Sequence, residues 1–97
     1  MPTYIALMNW TDQGAKSAAD TVDRYEGAKE DLAKRGVTIT DIFWTVGPYD
    51  LVTIIEAADD ETASSGLLRL ASQGNLRTTT MRAFSADETR RIVANTT

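Results

Sequence analysis

The residues with chemistry to offer gather in three short stretches. Gly47-Pro48-Tyr49-Asp50 lies between two apolar runs and sets a phenol beside a carboxylate. One use of such a pair is ligand contact or proton transfer. Turn chemistry is the simpler account: Pro fixes φ, Gly opens unusual backbone angles, Asp50 caps turn amides, and the Tyr49 ring packs on the sheet or on a partner. Trp10 and Trp44 sit near the ends of two predicted strands. They can stack on a planar ligand or anchor an interface, where Trp is favoured. Arg77, Thr78, Thr79, Thr80 and Arg82 form a polar strand able to hold a carboxylate or phosphate. An edge strand has the same composition, since Thr has high β-propensity and charge discourages edge pairing. Arg77 and Arg82 have opposite parity, so a regular strand cannot aim both into one pocket. The candidate ligand-binding residues are therefore Trp10, Trp44, Tyr49, Asp50, Arg77 and Thr79, with no residue singled out as catalytic. If a ligand binds, it is expected near the strand ends where Trp10, Trp44, Tyr49 and Arg77 converge.

Two absences narrow the chemistry. The chain has no Cys and no His. That excludes disulfides, thiolate nucleophiles, Cys-ligated metal, the Ser-His-Asp triad and His-ligated haem. Asp, Glu, Lys, Tyr, Ser and Thr remain. Asn9 can orient an oxygen-bearing substrate, but Asn before a helix entrance is ordinary turn chemistry. Glu30-Asp31 and Asp59-Asp60-Glu61 fall where a solvated helix face or a helix start puts acids. Neither has the alternating ligand spacing of a calcium loop. No metal and no cofactor are expected.

The 97 residues make one expected domain, residues 1–97. The net charge is −4 and the basic residues are scattered, which argues against a nucleic-acid partner. The apolar runs are strand-sized, far short of a membrane span. Met1-Pro2-Thr3-Tyr4 lacks the features of a signal peptide, so a cytoplasmic protein is expected.

The elements that must position these residues read in order. Thr3 to Trp10 is a strand. A helix capped at Thr11 or Asp12 runs to Lys34, with Ala15, Ala18, Val22, Tyr25, Ala28 and Leu32 as its apolar stripe and Gly36 closing it. Val37 to Val46 and Leu51 to Ala57 form a hairpin. Asp59 or Asp60 caps a second helix with Ala63, Leu67, Leu70 and Ala71 inward, ended by Gly74. Leu76 to Phe84 is the fourth strand. Ser85-Ala86-Asp87-Glu88 has capping-box spacing, so a short terminal helix runs to about Ala94.

The order βαββαβ predicts an α+β, ferredoxin-like sandwich with a four-stranded antiparallel sheet and a short C-terminal helix. Strands one and three are the most apolar and belong in the centre. Ile5, Leu7, Val52 and Ile54 are purely aliphatic and share one parity, which assigns them to the helix-covered face. Tyr4, Met8, Trp10, Leu51, Thr53 and Ile55 then form an uncovered face, which a second copy of the chain is expected to bury. On this reading Met8→Asp dissociates or unfolds the protein, by placing an unpaired charge in that interface.

MPTYIALMNWTDQG, FWTVGPYDLVTIIEA and GNLRTTTMRAFS together resemble the GYD domain family, across nearly the whole chain. Gly47, Tyr49 and Asp50 match its Gly-x-Tyr-Asp turn, with Pro48 in the variable position. The resemblance implies a ferredoxin-like fold of the dimeric α/β barrel type. It does not imply one activity, because relatives by fold include cofactor-free monooxygenases, haem enzymes, isomerases and regulatory domains. Two functions are consistent with the residues. One is a homo-oligomeric domain, binding a small molecule or regulatory in role. The alternative is a cofactor-independent enzyme of monooxygenase or isomerase type, with Asp50 or Tyr49 as its base.

Overall fold

A computed structural model describes residues 1–96. Strand β1 (Thr3–Trp10) is followed by a five-residue helix α1 (Asp12–Lys16), a 3-10 turn (Ala18–Asp20) and helix α2 (Thr21–Lys34). Strands β2 (Val37–Trp44) and β3 (Leu51–Ala57), helix α3 (Asp60–Ser72), strand β4 (Leu76–Ala83) and helix α4 (Ala86–Ala94) complete the order. The four strands form one sheet in the order β2-β3-β1-β4, and every neighbouring pair is antiparallel. This is the ferredoxin-like arrangement, with the two most apolar strands in the centre.

The first helix is broken where a continuous one is expected. Thr11 is its N-cap and accepts from the Gly14 amide at 3.2 Å. At Ser17 the backbone leaves helical geometry (φ −113°, ψ 27°). The Arg24 guanidinium then holds the Ser17 carbonyl at 2.5 Å and its hydroxyl at 2.7 Å. Gly14 is wedged against the β4 entrance: a Cβ there would lie 2.1 Å from the Asn75 carbonyl oxygen. That close approach requires glycine and pins α1 before α2 sets off in a new direction.

The faces of the sheet are the reverse of the parity expectation. The core under α2 and α3 contains Tyr4, Ile39, Ile55, Ala57, Leu32, Val37 and Ala63, continued by Ala6, Met8 and Leu51. Tyr4, Ala6, Met8, Leu51, Thr53 and Ile55 therefore lie beneath the helices. Ile5, Leu7, Val52 and Ile54 face away from them. Small residues allow the helices to sit close to the sheet. Ala6 and Ala57 are fully buried, and a Cβ on Gly66 of α3 would come within 2.9 Å of Val37. Polar tips are tolerated on this face where they find partners, as when the Tyr4 hydroxyl donates to Asp60 at 2.5 Å. Aliphatic purity marks instead the face with no helix on it. Met8 is 3% exposed, so Met8→Asp attacks the core and not an interface.

A β-bulge at Thr40 re-phases β2. The register passes from Ile39↔Ile55 to Asp41↔Ile54, and the Thr40 hydroxyl donates to the Ile54 carbonyl at 3.1 Å. Ile39 and Ile42 thereby share the covered side, while Asp41 and Phe43 join the open one. The open face carries Phe43, Val52, Ile54, Ile5, Leu7 and Met81 across all four strands. Phe43 is 56% and Met81 46% exposed.

Candidate functional site

At one end of the sheet α2 and α3 part over the strands and leave a cleft of about 60 Å³. Met8, Trp10, Leu51 and Leu76 make its floor, with Tyr25 of α2 and Leu70 of α3 as walls. Thr21, Arg24, Gln73 and Asn75 bring polar groups to it. The lining among the described residues contains no Asp or Glu. Such a cavity favours a small, largely apolar molecule.

The backbone around Trp10 is held from two sides. The Asp50 carboxylate accepts from the Trp10 amide at 3.0 Å, and the Asp50 amide donates to the Met8 carbonyl at 2.9 Å. Asp50 therefore caps the end of β1, and the amide it serves belongs to the neighbouring strand, not to its own turn. On the other side the Thr11 amide donates to the Asn75 carbonyl at 3.1 Å and the Thr11 hydroxyl to the Gly74 carbonyl at 2.5 Å. The Gln13 amide group adds bonds to the Gln73 carbonyl and the Asn75 side chain, at 3.1 and 3.0 Å. Residues 8–13, Asp50 and the 73–75 loop thus meet around one tryptophan.

Trp44 stands over the same end. Its indole N–H donates to the Thr21 hydroxyl at 3.0 Å, and its ring meets Tyr25 edge-on at 5.9 Å. It buttresses the cleft wall and does not line it. In the 45–50 turn the Thr45 hydroxyl donates to the Tyr49 carbonyl at 2.5 Å and the Thr45 amide to the Asp50 carbonyl at 2.8 Å. Gly47 (φ +148°) supplies the backbone angle that this turn needs. The Tyr49 side chain does not line the cleft.

Arg77 and Thr79 lie on the other side. Arg77 pairs with Asn9 and Thr79 with Leu7, so both belong to the open face, and both are exposed. The structure brings Trp10, Trp44 and Asp50 together at the cleft end and puts Arg77 across the sheet from Trp10. Met8, Thr21, Arg24, Tyr25 and Leu70 are cleft residues that strand parity and motif reading passed over. Tyr25 and Leu70 were visible only as members of helical apolar stripes.

A separate polar cluster occupies the far end of the covered face. Arg82 stacks on Phe84 at 4.5 Å and on Tyr4 at 5.7 Å, and lies 3.6 Å from Glu88. The hydrogen bond to Asp60, and then burial, push the Tyr4 phenol above its ordinary range. The acidic runs serve structure. Asp59 caps α3 by accepting from the Thr62 amide at 2.8 Å, and Asp31 accepts from Arg69 at 2.7 Å. The Thr62 bonds hold Asp59 below the usual carboxylate range, and the Arg69 hydrogen bond does the same for Asp31. No helix among the described residues is long and apolar enough to cross a membrane.

One sheet layer, one helix layer and a capped cleft at the sheet end define a ferredoxin-like α+β domain. The chain belongs to the GYD domain family, whose profile matches residues 4–93. It is 36% identical over 85 residues to a protein of Thermus thermophilus named glutamine synthetase and cystathionine beta-lyase binding protein; the match covers 87% of this chain and 90% of that one. Its structure is similar to that of TTHA0845, also from Thermus thermophilus, with a TM-score of 0.55 and 25% identity over 89% of this chain and 96% of the other. FFRP-DM1 shares the fold, with a TM-score of 0.57 and 17% identity over 87% of this chain and 100% of the other.

Proposed function

We propose that this chain is a homodimeric binding domain of regulatory role, which holds a small and mostly apolar molecule in the cleft around Trp10 and acts on another protein. The observation that carries the reading is the cleft itself: aromatic and aliphatic walls, and a floor held rigid by Asp50 and the Gly74–Asn75 loop. An enzyme of the cofactor-independent type needs a base beside its substrate. Among the described residues no Asp or Glu lines this cleft, and Asp50 is engaged with the Trp10 amide, which supports binding. A relative that is by name a binding protein for two enzymes supports a role exerted on a protein partner. The open aliphatic face supports pairing with a second copy, because soluble monomers rarely expose an apolar patch of sheet size. Within this reading Trp10 contacts the ligand, Trp44 and Asp50 position the cleft, and Tyr49 shapes the turn. Arg77 and Thr79 belong to the dimer face.

The test is a titration with a small planar aromatic, indole or phenol, followed by tryptophan emission and by heteronuclear NMR. Saturable shifts confined to the cleft, abolished in Leu70→Trp, are the expected result. Shifts scattered over the surface, or unchanged in Leu70→Trp, would overturn the reading.

A further inference from the structure

Among the described residues that line the cleft around Trp10, Arg24 alone carries a charge. It is half-buried, and an arginine withdrawn from water is ordinarily matched by a carboxylate. Arg35 and Arg69 have Asp31, Arg82 has Glu88, and Arg90 has Asp87. Among the described residues Arg24 has no such partner. Asp20 and Asp23, its neighbours along the chain, form no ion pair with it. Arg77 and Arg91 also lack an acid, but both are exposed to water. In a chain of net charge −4, with acids in surplus, a half-buried cation left unmatched beside an apolar cleft is the exception.

The guanidinium is held by one corner. Its Nη1 donates to the Ser17 carbonyl at 2.5 Å and to the Ser17 hydroxyl at 2.7 Å. Nε and Nη2 form an edge on which a guanidinium can take a carboxylate in two parallel bonds. Neither has an acceptor among the described residues. Two other groups of the lining are set in the same sense. The Thr21 hydroxyl accepts from the Trp44 indole at 3.0 Å, so its own proton is left to donate. The Asn75 side-chain oxygen accepts from Gln13 at 3.0 Å, so its amide N–H groups are left to donate. Helix α1 gathers this polar side: Arg24 is tied to Ser17 at its C-cap, and Asn75 to Gln13 within it. The cleft therefore joins unused donors and a positive charge to walls of Met8, Trp10, Leu51 and Leu70. Among the described residues no acid lines it to repel an anion.

We infer that the cleft takes a small carboxylate with an apolar body, its acid group on the Nε–Nη2 edge of Arg24 and its ring or branched chain against Trp10 and Leu70. The inference rests on the cleft being a ligand site, and the test separates the two. The full chain is titrated with phenylacetate and with its neutral isostere phenylacetamide, followed by tryptophan emission, while ¹⁵N NMR follows the Arg24 Nε–H signal. Phenylacetate should bind at least about tenfold more tightly than phenylacetamide, the lower end of what a charged hydrogen bond adds. The Nε–H signal should move with the acid and not with the amide. In Arg24→Gln the acid should lose its advantage while phenylacetamide binds as before. That variant also gives up the Ser17 bonds, so circular dichroism checks its fold, and the Nε–H signal of the unchanged chain decides the matter if it is unfolded. Phenylacetate binding no more tightly than phenylacetamide, with phenol still saturating the cleft, would overturn the carboxylate and leave the cleft standing. An Nε–H signal unmoved by phenylacetate, or an advantage kept in folded Arg24→Gln, would overturn the role of Arg24 and the inference. No saturable binding of phenylacetate, phenylacetamide or phenol would overturn the cleft reading and the inference with it.

Discussion

Removing the Asp50 carboxylate should loosen the end of β1 by an amount the structure sets. In Asp50→Ala the Trp10 amide, now bonded at 3.0 Å, loses its acceptor. A hydrogen bond to a charged group contributes about 1.5–3 kcal/mol. Asp50 is half-buried, so water replaces part of the bond, and a loss of about 1–2 kcal/mol is expected. For a domain of this size that lowers Tm by roughly 5–15 °C. Asp50→Asn keeps an acceptor oxygen in place and should lose less than half as much. The assay is thermal unfolding by circular dichroism at one fixed chain concentration, since the proposed dimerisation would make Tm depend on concentration. Near-ultraviolet dichroism should change in Asp50→Ala, because Trp10 loses its anchor. An alanine variant as stable as the unchanged chain, or an asparagine variant as damaged as the alanine one, would refute the capping argument.

Further expectations concern the faces, the glycines and pH. Met8→Asp should unfold the chain, by placing a charge in the covered core, whereas Leu7→Asp should leave a folded monomer; dichroism and sedimentation together distinguish them. Gly14→Ala should cost about 3 kcal/mol or more, because its Cβ would collide with the Asn75 backbone. Gly27→Ala, whose Cβ meets nothing within 4 Å, should stabilise α2 by about 0.5–1 kcal/mol in urea unfolding. Asp31, Asp59 and Glu88 are held below the usual carboxylate range, chiefly by Arg69, by Thr62 and by the Ser85 amide respectively. Their stabilisation is present above the unfolded-state pKa of about 4 and is lost as pH falls through the depressed folded values, so urea midpoints should drop below about pH 4. Tyr4 is shifted the other way, mainly by its bond to Asp60. Its contribution is present below about pH 10 and is lost as pH rises through the raised folded value, a loss that Asp60→Asn should reduce.

The βαββαβ order, strand centrality, the Ser85 capping box and a cap at Thr11 or Asp12 and at Asp59 or Asp60 were legible in local residue patterns; the break at Ser17 in the first helix was not. The orientation of the sheet was not. Strand parity groups residues into two faces but does not say which face receives the helices. Aliphatic purity pointed the wrong way, because Ala6, Ala57 and Thr53 are chosen for close helix approach and the Tyr4 hydroxyl has a distant partner in Asp60. The bulge at Thr40 hid the shared side of Ile39 and Ile42, which are three residues apart. Trp10, Trp44 and Asp50 were legible as special residues at strand ends. The role of Asp50 depends on an amide forty positions away, and a local turn reading cannot reach that distance. Arg77 fell to the opposite face because its position relative to Trp10 is fixed by cross-strand register.

The most direct test of a dimeric domain with an occupied apolar cleft is native mass spectrometry of the protein purified from its own host. The expected spectrum shows two chains together with a retained small molecule, and the same dimer without that molecule in Leu70→Trp. A monomer, or a dimer whose adduct persists when the cleft is filled, would contradict the account.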